Sequence, residues 1–185
     1  MRISRGFTLI ELMVVLAIVA ILASLSAPSF ARLIQSTVIS GNVNNFLGDM
    51  RYARSESIRR GGGVVLCRSD APEAANPACS DAGSNTNGWV SGWIIFHDID
   101  HDGARGNADT LLRVQAPITS INAIKDGANG YAKFRFTATG RLLNLTATTP
   151  LVFGASPQFD SATQRAVCIS LGGGTRIAGD GAASC

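Results

Sequence analysis

The chain has 185 residues, of which 16 are basic and 13 acidic, so its formal net charge is +3. This length suits one ordinary domain plus an anchoring element. Arg2 and Arg5 precede the first apolar run, and the remaining 14 basic residues nearly balance the acidic ones. The overall charge therefore does not by itself predict a nucleic-acid partner.

The first predicted element is an apolar segment from Phe7 to Ala27, in which Glu11 is the one charged residue. As an α-helix, these residues would be about 30 Å long, which matches the hydrocarbon core of a bilayer. Because Arg2 and Arg5 precede the segment, the positive-inside rule predicts a cytoplasmic N-terminus. The chain after Pro28 is then expected on the outer side of the membrane.

A cleavable secretory signal is the alternative for this segment, since small residues such as Ser26 and Ala27 stand near its end. The apolar run is longer than the usual signal core of about 7 to 15 residues, and Glu11 interrupts it. A carboxylate deep in a bilayer costs about 3 kcal/mol, and such groups usually have a partner. We therefore predict that the segment is retained and that Glu11 is functional.

Residues 6–12 read Gly-Phe-Thr-Leu-Ile-Glu-Leu, and an apolar run and Pro28 follow. This pattern resembles the N-terminus of type IV prepilins and type II secretion pseudopilins. The resemblance implies that residues 1–6 are a leader, which a prepilin peptidase removes by cutting after Gly6, and that the new N-terminal residue, Phe7, is N-methylated. It also implies that Glu11 pairs with the positive N-terminus of a neighbouring subunit during filament assembly.

The helix is predicted to continue beyond this assembly segment, residues 7–28, through residues 29–60, with a bend at Pro28. Ser57 and apolar residues recur at three- and four-residue spacing and predict one buried face: Val43, Phe46, Leu47, Met50, Ala53, Ser57 and Ile58. Charged residues occupy much of the rest: Asp49, Arg51, Arg54, Glu56, Arg59 and Arg60. Glu56 and Arg60 are spaced for an ion pair, and Gly61 to Gly63 are predicted to end the helix.

Residues 61–185 show short apolar or β-branched runs separated by turn residues, which predict an antiparallel β-domain. The predicted strands are Val64–Cys67, Trp89–His97, Leu111–Ala116, Ile118–Ile124, Tyr131–Thr137, Arg141–Leu145, Pro150–Gly154, Ala166–Leu171 and Thr175–Ala178. The predicted fold class is therefore α+β, with a long N-terminal helix, part transmembrane and part amphipathic, packed on this domain.

Residues 50–60, residues 64–67 and the Gly88-Trp89 and Gly92-Trp93 pairs resemble the GspH/FimT branch of minor pilins and pseudopilins. The resemblance implies a pilin-like fold with two small antiparallel sheets. It also implies a structural subunit of a type IV pilus or a type II secretion pseudopilus, near the tip of the filament. Such a subunit starts as a single-pass protein of the bacterial inner membrane with a periplasmic domain, and its partners are other pilins or pseudopilins.

The cysteines form two pairs that are close in sequence, Cys67 with Cys79 and Cys168 with Cys185. An even number beside an export-type N-terminus predicts disulfides in an oxidising compartment. Pairing within each pair closes a short loop worth about 3 kcal/mol in the chain-entropy model. The other two connectivities and free thiols remain alternatives at the level of the sequence.

Residues 98–103 read Asp-Ile-Asp-His-Asp-Gly, and Asp109 follows. Asp98, Asp100, Asp102 and Asp109 have the spacing of a calcium loop, with oxygen ligands at positions 1, 3 and 5, glycine at 6 and an acid at 12. The twelfth position is Asp rather than Glu, and a strand rather than a helix precedes the loop. A polar hairpin without an ion is therefore the alternative, and no other cofactor is predicted.

Motifs for catalysis are missing from the sequence: it has no GxSxG, no HExxH and no phosphate loop, and its histidines are His97 and His101. An enzyme is therefore not predicted. DNA binding is the sharper alternative, because some FimT-type proteins capture DNA through a C-terminal basic segment. Gly140-Arg141 and Gly174-Thr175-Arg176 match that segment in part, so Arg141 and Arg176 are its candidates here.

Overall fold

The computed structural model describes residues 7–80, 88–126, 130–154, 161–179, 181–182 and 184–185. The chain divides into two compact units, residues 1–35 and residues 36–185. Helix α1, Leu9–Arg60, begins in the first unit and ends in the second. In the described part of the second unit, eight strands form two antiparallel sheets. The predicted α+β fold class is confirmed.

Helix α1 has a defined boundary at each end. Thr8 precedes its first residue, and the Thr8 Oγ1 accepts a 3.3 Å hydrogen bond from the backbone N–H of Glu11, as an N-cap does. At the other end, the N–H of Gly62 donates to the carbonyl of Ser57 at 2.7 Å, and Gly61 has φ +79°. This is the hydrogen bond of a Schellman motif. The predicted helix end at the three glycines is confirmed.

Within the second unit, one face of α1 is buried, and this face is largely the one that was predicted. Its buried residues are Ile39, Val43, Phe46, Leu47, Met50, Ala53 and Ser57. Two details were wrong. Ile58 is 53 % exposed, with its Cδ1 beside Gly140 in a turn near the helix end, and Asp49 is buried rather than solvated. Glu56 forms the predicted ion pair with Arg60, at 2.8 Å, and a second pair with Arg59.

The first sheet has the strand order β3-β2-β1-β5 and the second has the order β4-β6-β7-β8. The strands are β1 (Val64–Arg68), β2 (Trp93–His97), β3 (Thr110–Gln115), β4 (Ile124–Asp126), β5 (Lys133–Phe136), β6 (Thr149–Phe153), β7 (Arg165–Ile169) and β8 (Thr175–Ile177). All neighbouring strands are antiparallel. The hairpin between β2 and β3 carries the acidic loop, residues 98–109.

The two sheets share one core, with Phe46 of α1 at its centre. The Phe46 ring lies edge-on to Trp89, Trp93 and Phe153, at centroid distances of 5.8, 5.3 and 5.8 Å. Trp93 belongs to the first sheet and Phe153 to the second. A single helix residue therefore contacts both sheets.

The other face of the first sheet holds a smaller core of Val65, Cys67, Ile94 and Phe96. Alternate residues of β1 thus serve two cores, since side chains alternate across a strand. Cys79 packs against this smaller core and is bonded to Cys67, with 5.5 Å between their Cα atoms. The disulfide therefore holds residues 69–80 to this face of the sheet.

Three predicted strands differ from the observed ones. Residues 89–91 form a short 3₁₀ helix, and β2 starts at Trp93, after Gly92 with φ +102°. In residues 118–124 the buried isoleucines are spaced by three rather than two, and only the end of that range belongs to a strand, β4.

The predicted strand Arg141–Leu145 is also wrong, although Leu142 forms an isolated bridge with Phe136. The N–H of Leu143 still donates to the carbonyl of Arg135 at 2.9 Å, and beyond this bond the Asn144 side chain takes the place of the backbone. Its Oδ1 accepts from the N–H of Arg135 at 3.1 Å, and its Nδ2 donates to the carbonyl of Lys133 at 2.5 Å.

Candidate functional site: assembly segment and acidic loop

The assembly segment, residues 7–28, forms the start of α1. Every large apolar residue of its described part is exposed, including Phe7 at 84 % and Leu9 at 78 %. The mean hydropathy of its most apolar stretch is 2.6, and α1 is by length and composition a helix that could cross a membrane. Contact between this apolar surface and water is unfavourable in free energy, so a lipid or protein environment is needed to cover it.

Glu11 stands in the first turn of α1, three residues after the cap Thr8. A carboxylate at this end is favoured by the helix dipole, and the Thr-x-x-Glu spacing is that of a capping box. The sequence interpretation missed Thr8, although this spacing was the signal for it. Thr8 fixes the start of the helix and so places Glu11 in its first turn.

Two other predicted features of this segment stay predictions. Gly6, after which the leader is expected to be cut, lies outside the described residues. Pro28 lies inside α1, which continues to Arg60, and the bend expected there stays a prediction.

The acidic loop begins directly after β2, where the N–H of Asp98 donates to the carbonyl of Gly63 at 2.6 Å. Asp98 is 1 % exposed. Its Oδ2 accepts a 2.9 Å hydrogen bond from the N–H of Gly103 and lies 3.7 Å from Nη2 of Arg135. His101 and Gly103 adopt positive φ, +62° and +78°, so the chain turns sharply around the Asp98 carboxylate.

The structure brings three of the four predicted calcium ligands together. One carboxylate oxygen from each of Asp98, Asp100 and Asp102 lies within 4.8 Å of the others, and Asp100 and Asp102 are exposed. Burial raises the pKa of Asp98 above its ordinary value, and the nearby carboxylates of Asp100 and Asp109 raise it further. The cluster is thus a site at which negative charge is concentrated.

Asp109 has a different place from the one predicted. It is not in this cluster of described residues, and both of its oxygens accept hydrogen bonds from the loop backbone. Oδ1 accepts from Ile99 at 2.8 Å and Oδ2 accepts from Gly106 at 2.7 Å. Asp109 therefore stabilises the loop conformation through these hydrogen bonds.

Two basic residues that the sequence interpretation missed hold the outside of the loop. Arg135 donates to the carbonyl of His101 at 2.8 Å, and Lys133 donates to the carbonyl of Gly103 at 3.0 Å. Both are on β5, far away in sequence, so no local pattern pointed to them.

The two predicted DNA contacts, Arg141 and Arg176, are both exposed. Arg141 directly follows the turn at Gly140, and Arg176 lies on β8 just after the turn that contains Gly173. These two turns are neighbours, because the N–H of Leu142 donates to the carbonyl of Leu171 at 2.9 Å and a side chain on Gly173 would collide with the carbonyl of Gly140. Arg176 also lies 3.5 Å from the carbonyl oxygen of the C-terminal Cys185. Cys185 is bonded to Cys168, so both predicted disulfides are present.

Known proteins resemble the chain in two ways. Residues 42–173 match the family model of the type II transport protein GspH, and residues 1–27 match the prokaryotic N-terminal methylation motif. No curated protein sequence matches the chain.

Solved structures of the type IV minor pilin FimU from Pseudomonas aeruginosa share the fold. One crystal form gives a TM-score of 0.57 at 15 % identity and covers 80 % of this chain and 92 % of that one. A second gives 0.52 at 14 % identity, with 79 % and 96 % covered. Since the GspH match spans more than half of its length, the chain belongs to the GspH family of minor pilins and pseudopilins.

Proposed function

We propose that this protein is a structural subunit, rather than an enzyme, which joins a type IV pilus or a type II secretion pseudopilus through its N-terminal helix. The observation that carries the proposal is the exposure of the whole apolar surface in the described part of residues 7–26. A membrane covers this surface before assembly and neighbouring subunits cover it afterwards.

In this proposal a prepilin peptidase cuts after Gly6, and Phe7 becomes the methylated N-terminus. The subunit then spans the inner membrane once, with its N-terminus in the cytoplasm and its β-domain in the periplasm. Arg2 and Arg5 precede the apolar segment, and the positive-inside rule therefore supports this orientation. The disulfides support an oxidising compartment for the β-domain.

Glu11 supplies the specificity of assembly. A carboxylate in the hydrocarbon core costs about 3 kcal/mol, whereas each Leu, Ile, Val or Phe near the centre favours insertion by about 0.3 to 0.6 kcal/mol. The apolar residues of the segment thus tolerate one acid in the membrane. A neighbour's N-terminal ammonium group gives that acid a charge partner, which lowers its energy in the filament.

We place the subunit near the filament tip, where the loops of its β-domain face outward. Immunogold labelling of an epitope-tagged subunit tests the position: the proposal expects gold at filament ends, and uniform labelling along the shaft contradicts it. A deletion strain distinguishes the two filaments, because loss of pili indicates a type IV pilus and loss of protein secretion indicates a type II secretion pseudopilus.

A second candidate function, capture of DNA at the tip, is favoured by Arg141 and Arg176, which are exposed beside two neighbouring turns. Phosphate contacts make binding weaken as salt rises. Fluorescence anisotropy with the full chain in detergent and a labelled duplex measures this. Binding that is equal for wild type and for the double variant Arg141→Ala, Arg176→Ala would exclude these contacts.

Processing is tested by mass spectrometry of the chain purified from membranes. The proposal expects a mature chain that begins with N-methylated Phe7. A chain that retains residues 1–6, or one cut near Ala27 as a secretory signal would be, contradicts it.

A further inference from the structure

We propose that the acidic loop, residues 98–109, binds one Ca²⁺ ion through Asp98, Asp100 and Asp102, while Asp109 holds the loop in shape. This inference goes beyond the filament role and does not depend on it. It rests on the placement of the carboxylates and on one buried oxygen atom.

The spacing of the carboxylates suits the size of calcium. Oxygen ligands lie about 2.3 to 2.6 Å from Ca²⁺, so two ligands of the same ion are at most about 5 Å apart. The three oxygens from Asp98, Asp100 and Asp102 lie within 4.8 Å of one another. The shorter ligand distances of Mg²⁺, about 2.0 to 2.1 Å, require a tighter cluster.

The second observation concerns the Asp98 Oδ1, which is buried and has no hydrogen-bond partner among the residues that the structure describes. The other oxygen, Oδ2, is held by the N–H of Gly103. A buried polar atom without a partner is costly. Oδ1 is therefore the Asp98 oxygen left for a ligand.

Arg135 does not replace the ion. Its Nη2 is 3.7 Å from Oδ2 of Asp98 and donates to the carbonyl of His101, so it holds the outer side of the loop. The carboxylates of Asp100 and Asp102 make only local bonds to loop backbone within the described residues, at 3.4 Å and 2.6 Å. A divalent cation would bind all three carboxylates together.

Asp109 explains how the loop keeps this shape without supplying a ligand. Its two hydrogen bonds, to Ile99 and to Gly106, close the loop behind the cluster. Few protein ligands and two exposed carboxylates point to a weak site, with a Kd on the order of 10⁻⁴ to 10⁻³ M, as in extracellular calcium modules.

Thermal unfolding of the full chain in detergent, first freed of metal by a chelator, tests the proposal. Ca²⁺ at about ten times its Kd is expected to raise Tm by about 3–6 °C. The double variant Asp100→Asn, Asp102→Asn should lose this shift, and its fold should survive because both side chains are exposed. Glu73→Gln, which removes an exposed carboxylate elsewhere, should keep it.

Calorimetric titration of wild type with Ca²⁺ gives a readout that needs no variant, with one site per chain expected. Absence of binding, a Tm shift of the same size in the double variant, or an equal shift with Mg²⁺ would each overturn the calcium site. A Kd at least tenfold weaker in the double variant would support it.

Discussion

The indole N–H of Trp93 donates a 2.7 Å hydrogen bond to Oδ2 of Asp49, a carboxylate that is buried on the core side of α1. The other oxygen of Asp49, Oδ1, lies 3.0 Å from Nε of Arg113, which is half exposed. Arg113 also lies over the ring of Tyr52, with 5.6 Å from its Cζ to the centroid. One acid thus ties the helix to two neighbouring strands of the first sheet.

Asp49→Ala should lower the free energy of unfolding by about 1–3 kcal/mol, because it leaves the buried indole N–H of Trp93 without an acceptor. Asp49→Asn should cost less, since its amide oxygen can still accept that bond. Chemical denaturation of the full chain in detergent measures both. Equal losses for the two variants would contradict a role for the hydrogen bond.

The same residue predicts a dependence on pH. Burial raises the pKa of Asp49 above its ordinary value near 3.8, and the Trp93 hydrogen bond and Arg113 oppose the shift. The folded state then holds the proton more tightly than the unfolded state does. Stability from this group is fully present below pH 3.8 and is lost as pH rises through the raised folded value.

Asp98 and Asp126 also have raised pKa values and contribute to the pH dependence. The effect of Asp49 is therefore measured as the difference in unfolding free energy between wild type and Asp49→Asn. We expect wild type to lose stability relative to this variant as pH rises from about 3.8. A difference that stays constant with pH would contradict the shift.

Phe46→Ala should cost about 3–5 kcal/mol of unfolding free energy, since it leaves a cavity between the two sheets. Phe30→Ala is a matched control on the same helix, because Phe30 is 64 % exposed, and its effect should be within about 0.5 kcal/mol. Denaturant unfolding compares the two. A similar loss for both would show that Phe46 does not anchor the core.

The N-terminal pattern and the helix face were predictable because they depend on residues close in sequence. Asp49 was placed with the other charged residues off the buried face, since a charged residue is usually exposed. No local pattern pointed to its partner Trp93, which is 44 residues away. The spacing of Asp98, Asp100 and Asp102 correctly indicated a cluster. Asp109 fitted the same spacing, but its backbone bonds within the loop give it another place.

The strand errors have the same origin. Asn144 completes the edge of β5 with its side chain, which no alternating pattern reveals. Residues 118–124 are apolar enough for a strand, yet their buried isoleucines are spaced by three residues, whereas a strand with one buried face would bury every second residue.

Loss of the Cys67–Cys79 disulfide should destabilise the protein more than loss of the Cys168–Cys185 disulfide. Each closes a short loop worth about 3 kcal/mol, but Cys67 and Cys79 also belong to the smaller core of the first sheet. Paired serine variants, unfolded by denaturant without reductant, measure the two effects. A larger loss for the Cys168, Cys185 pair would contradict this assignment.

Glu11 provides the most direct test of the central claim, that the N-terminal helix assembles the filament. Cells expressing Glu11→Ala are separated into membrane and sheared-filament fractions, with Met13→Ala, a neighbouring exposed apolar residue, as the control. We expect membrane insertion of Glu11→Ala to stay intact or improve while its filament fraction falls at least tenfold. A filament fraction equal to wild type, or loss of insertion, would contradict it.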